Sequence, residues 1–72
     1  MSHPGITPRV RLKQDVHVLE HPTGLCVRLH RNAAPALTAW QIATWFPCRS
    51  SAQDALAAIG PAPLEIVRRV PA

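Results

Sequence analysis

Carboxylates are scarce in this chain. Its 72 residues hold four Asp and Glu against eight Lys and Arg, with four His, for a formal charge of +4. No two of those carboxylates sit close enough in sequence to suggest a general acid and base working as a pair. Glycine is almost as rare, and three isolated glycines exclude a glycine-rich phosphate loop. Cysteine is limited to Cys26 and Cys48, too few for the disulfide framework of a small secreted domain, so a reducing, cytoplasmic setting is expected. Long apolar runs are missing too. The longest uncharged stretch, residues 32–48, is broken by Pro35, Thr38, Gln41, Thr44 and Pro47, and falls short of the roughly 18 residues of a membrane span. Residues 1–8 lack the basic segment followed by an apolar run that marks a signal peptide. No membrane partner is expected.

A chain of this length forms one domain and has no room for both a core and a deep substrate cavity. Of its apolar residues, eleven are Ala; the large ones are seven Leu, six Val, four Ile, two Trp, one Phe and one Met, enough for one thin two-layer core. No enzyme, cofactor or small-molecule substrate is expected.

Residues 1–8 (MSHPGITP) read as a flexible lead-in, and residues 9–72 as the single folded domain. From residue 9 to 20 the chain alternates with period two. Val10, Leu12, Gln14, Val16 and Val18 share one face; Arg9, Arg11, Lys13, Asp15 and His17 share the other. His21-Pro22-Thr23-Gly24 is turn chemistry. Residues 25–31 alternate again, with Leu25, Val27 and Leu29 opposed to Cys26, Arg28 and His30. A loop of two or four residues centred on Pro22-Thr23 sets Val18 opposite Val27 and Val16 opposite Leu29, so the apolar faces coincide.

Two helices are predicted next. Thr38-Ala39-Trp40-Gln41 has the form of a capping box, and Pro47 ends that helix near Phe46. Ser50 or Ser51 caps the second, which runs to about Ile59 and stops at Gly60. Residues 64–70 form a third strand. The expected fold class is α+β: a small two-layer β-β-α-α-β arrangement, an antiparallel hairpin plus a third strand with two short helices on one face.

The outer face of the hairpin is the main candidate site. Arg9, Arg11, Lys13, His17, Arg28 and His30 gather there beside the single carboxylate of Asp15, a spacing suited to a phosphate backbone or an acidic protein groove. No aromatic residue interleaves with them, so base stacking is not expected. His17, Cys26, His30 and Asp15 lie near one another in this register, but a flat sheet face converges poorly on a tetrahedral ion, so no metal is expected. Cys48, just after Pro47, reads as a small apolar filler. Trp40 and Trp45 flank the inward stripe of the first helix on opposite sides, which marks one of them as an anchor for a protein partner or a homodimer seam.

The expectation is a non-enzymatic binding or regulatory protein that docks its basic hairpin face on nucleic acid or a nucleoprotein complex and acts by occlusion or bridging. One alternative is a protein-directed inhibitor or adaptor of the compact kind that phages and mobile elements encode, anti-CRISPR proteins among them, on size, charge and layout only. A further alternative is a DNA-binding regulator. Residues 37–60 resemble a helix-turn-helix in their apolar positions, although Pro47 stands where that turn usually has Gly, and the would-be reading helix carries Asp54.

Overall fold

The computed structural model describes residues 15–71. Residues 1–14, which carry the expected lead-in and the first half of the long strand, lie outside the described residues, as does residue 72. The elements are β1 (Val16–Glu20), β2 (Cys26–Arg28), β3 (Ala36–Thr38), a single 3₁₀ turn (Trp40–Ile42), α1 (Arg49–Ile59) and β4 (Glu65–Arg69). The four strands form one antiparallel sheet in the order β3-β2-β1-β4. Among the described residues the fold is therefore a small α+β arrangement, with one α-helix where two were expected and four strands where three were.

The β1–β2 hairpin exists, but its register differs by one residue from the predicted one. Gly24 N–H donates to the His21 carbonyl at 2.8 Å, and His21 N–H to the Leu25 carbonyl at 2.8 Å. The loop is thus three residues, Pro22-Thr23-Gly24, closed by Gly24 at φ +92°. A turn followed by a positive-φ glycine is the three-residue hairpin, and its odd length pairs Glu20 with Cys26. His21 Nδ1 accepts the Thr23 N–H at 3.2 Å, which stiffens the same turn. A Cβ at residue 24 would meet nothing within 4 Å, so the cost of a side chain there is in the backbone alone. Gly24→Ala should lower stability by about 1 kcal/mol and Gly24→Asn by less, read from urea midpoints. Equal midpoints for all three proteins would contradict this account of the turn.

The shifted register exchanges the faces. Leu19 and Val27 point to α1, where they meet Ala52 and pack with Phe46, Ala55, Leu56, Ile59, Leu64 and Ile66. Val18 and Cys26 point the other way and are nonetheless fully buried. Val18 pairs with Val67 and Val16 with Arg69, both on β4, while Val27 pairs with Leu37 on β3. The predicted pairs Val18–Val27 and Val16–Leu29 do not form.

The two strands of the hairpin also splay apart. Residues 44–46 fill the fork: Thr44 N–H donates to the Val27 carbonyl at 3.1 Å and Leu29 N–H to Thr44 Oγ1 at 2.8 Å. On the other side His17 and Phe46 exchange both main-chain bonds, at 2.9 and 2.8 Å. This insertion is why the predicted first helix does not form. Thr38 is used as the end of β3, Pro47 blocks the far side, and the residues between are too few to nucleate a helix against competing main-chain partners.

α1 does form, on the strength of its alanines. Its N-cap is Cys48 rather than Ser50 or Ser51, and Ser51 Oγ instead donates back to the Cys48 carbonyl at 2.9 Å. Gly60, at φ +92°, ends it as expected. Ala52 has no exposed surface, and its small side chain lets the helix sit close on the sheet.

Candidate binding surface

Among the described residues, His17, Arg28 and His30 of the predicted basic plate do not share one face. Arg9, Arg11 and Lys13 lie outside the described residues. His17 falls on the helix-facing side with Leu19, is half-buried, and leaves Nδ1 buried without a hydrogen-bond partner. Arg28 falls on the opposite side, level with Ala36. His30 lies past the end of β2, exposed. The one-residue shift and the splayed hairpin together separate these side chains.

Another segregation of charge replaces it. Between Glu20 and Asp54 the chain has no carboxylate at all. That stretch builds β2, β3, the 3₁₀ turn and the start of α1, and it carries Arg28, Arg31 and Arg49. All four carboxylates stand on or beside β1, β4 and α1. There they are partly neutralised: Arg68 Nε lies 3.1 Å from Asp15 and Arg69 Nη2 lies 3.0 Å from Glu20. The first pair is mostly exposed and contributes little. Among the described residues Arg28, Arg31 and Arg49 have no such partner. Residues 1–14 carry Arg9, Arg11 and Lys13 with no carboxylate, so three of the four net charges reside there. The acid-free run is visible in the sequence; inspecting strand faces alone passes over it.

Because the strands are antiparallel, β1 begins at the end of the sheet where β2 and β4 finish. Arg28, His30, Arg31, Arg68 and Arg69 stand at or just beyond that end. The opposite end, at the hairpin turn, holds Glu20 and Glu65.

The tryptophans are stacked rather than parted. Their ring centroids are 5.8 Å apart at 28°, and Trp45 Nε1 donates to the Trp40 carbonyl at 2.8 Å. The Arg69 guanidinium lies 5.8 Å from the Trp40 ring centroid. Arg69 shares its sheet face with Val16 and Val18, and its side chain runs along that face to reach Glu20 four residues farther down β1. Its stem and Trp40 together cover the face away from α1, so both sides of the sheet are closed there. Trp45 stays 41% exposed beside a surface cleft of about 560 Å³ bounded by Asp15, Val16, Phe46 and Pro47. With a single 3₁₀ turn in place of the first helix, residues 37–60 lack the paired helices of a helix-turn-helix.

The cysteines differ sharply. Cys26 is buried beneath that second face, and burial raises its thiol pKa, with Glu20 adding to the rise and Arg69 opposing it. Cys48 is exposed, not an apolar filler. Its Sγ lies 3.2 Å from Ser50 Oγ and 3.4 Å from Ser51 Oγ, and those hydroxyls lower its pKa to about 7. Among the described residues no three His, Cys, Asp or Glu side chains gather as a metal site. No helix among them is long and apolar enough to cross a membrane. Comparison of the chain with protein-family models, with curated proteins and with solved structures finds no match.

Proposed function

We propose that this is a non-enzymatic binding protein of the cytoplasm that docks on the phosphate backbone of a nucleic acid and acts by occlusion. The observation that carries this reading is the position of the charge. Arg28, His30 and Arg31 stand at and just beyond the end of β2 with no carboxylate between residues 21 and 53, Asp15 beside the start of β1 is tied to Arg68, and the sequence adds Arg9, Arg11 and Lys13 within residues 1–14, which hold no carboxylate. Such a cluster attracts a polyanion and releases its counterions. Backbone contact through these cations would supply the affinity.

Titration with duplex and single-stranded oligonucleotides at two salt concentrations tests the reading. With about four phosphate contacts, affinity should fall about 100-fold between about 50 and 200 mM salt. Arg11→Glu with Lys13→Glu should abolish binding at the lower salt. An absence of binding at about 50 mM salt, or a charge reversal without effect, overturns the proposal.

A further inference from the structure

The two edges of the sheet are built differently. β4, at one edge, carries Glu65, Arg68 and Arg69, the charged side chains that usually discourage another strand from pairing. β3, at the other, is Ala36-Leu37-Thr38, uncharged and free of proline. Its backbone is presented in a defined way. The Val27 carbonyl is turned toward β1 and taken by Thr44 N–H, so Val27 and Leu37 are a non-hydrogen-bonded pair. The bonds between β2 and β3 therefore run through Ala36 and Thr38. Leu37 is left with its N–H and its C=O both directed to the open edge.

The face beside that edge is apolar and uncovered. α1 packs chiefly on β1 and β4. On the same side of the sheet Leu25, Leu29 and Leu37 remain 42, 39 and 43% exposed. By contrast the other side of this half carries Arg28, which stands level with the small Ala36, and no carboxylate occurs from residue 21 to 53. A second copy would bring that acid-free half against its own like charge. An extended acidic peptide fits it instead.

We infer that β3 is a docking edge for an extended segment of a partner protein, which adds as a fifth strand paired at Leu37. The residue bonded to Leu37 places an apolar side chain on the shelf of Leu25, Leu29 and Leu37. A neighbour one position away turns to the other face and places a carboxylate over Ala36, within the length of the Arg28 side chain. Main-chain bonds supply the attachment, and the alternation of apolar and acidic residues supplies the choice of partner. This surface shares Arg28 with the phosphate-binding proposal, but its main-chain attachment at Leu37 does not depend on that proposal.

The test uses the full chain with a fluorescent octapeptide of alternating Glu and Val and its Lys-Val counterpart. The Glu-Val peptide should bind saturably and the Lys-Val peptide at least about tenfold more weakly. Hydrogen exchange of the Leu37 amide should slow when the Glu-Val peptide is added. Leu37→Pro removes the outward donor while sparing the bonds to β2, since proline is tolerated on an edge strand, and it should abolish binding. Arg28→Glu leaves the backbone intact and should weaken binding about tenfold, which keeps the inference open to refutation should the proline variant fail to fold. Equal affinity for both peptides, no saturable binding, or an unchanged Leu37 amide overturns it. So does protection of Leu37 by self-association of the protein alone, or by an oligonucleotide in place of the peptide.

Discussion

Leu19→Ala should cost about 3 kcal/mol and leave the protein largely unfolded near body temperature. Leu19 has no exposed surface and sits in β1, an interior strand of the sheet. Its side chain is held between Val27 and Ala52, with Phe46, Leu56, Ile59 and Ile66 packed around them. Among the described residues five are buried, and of these Val18 and Cys26 lie on the opposite face, so few neighbours could move in to fill the space. The loss joins the transfer energy of the deleted methyl groups to the cavity they leave. Domains of this size are stable by only about 0.05–0.15 kcal/mol per residue, so one such change removes a large part of the total. In a domain of about 60–100 residues it should lower Tm by roughly 12–24 °C. Thermal unfolding followed by tryptophan fluorescence measures this. Leu25→Ala, at a residue 42% exposed, is the control and should shift Tm by only a few degrees. Similar shifts for both variants would show that the core is not organised around Leu19.

The two thiols should react at rates differing by orders of magnitude in the native protein. Cys48 is exposed and its pKa is lowered to about 7, because hydrogen bonding of the sulfur with the Ser50 side chain, and after it with the Ser51 side chain and main chain, favours the thiolate. The thiolate is the nucleophile, so alkylation by iodoacetamide should accelerate as pH rises and reach half its plateau near pH 7. An ordinary cysteine reaches that point well above this pH. Cys26 is buried with a raised pKa and should remain unmodified until the protein unfolds. Mass spectrometry over a pH series resolves the two sites. Ser50→Ala with Ser51→Ala should move the Cys48 midpoint upward, toward an ordinary thiol. A midpoint for Cys48 unmoved by that double substitution would rule out the hydroxyls as the cause.

Much of the local architecture was legible. The alternation of residues 16–20, the turn at Pro22-Thr23-Gly24, the alanine-rich helix stopping at Gly60 and the last strand all follow from local patterns of residue type. The candidate site was less so. Grouping His17 with Arg28 depended on the phase of the hairpin, and that phase hung on one residue of loop length. Pro, Thr and Gly suit a loop of two, three or four residues, so turn chemistry alone left the parity open. The stacking of Trp40 on Trp45 was hidden for a related reason. It needs a 3₁₀ turn where local signals favoured a longer helix, and the partners that defeat that helix, His17 and Val27, are distant in sequence.

By itself the sequence determined β1, the turn after it, α1 and β4, and that positive charge exceeds negative, since each depends on neighbouring residues or on a count. Tertiary structure alone decided which side of the sheet each side chain occupies, and that Leu37 turns its main-chain groups to an open edge. The physical reason is that a pleated strand reverses every side chain with a shift of one residue. That shift was set by a positive-φ glycine, and the opening of the hairpin by hydrogen bonds that Thr44 and Phe46 bring from outside it.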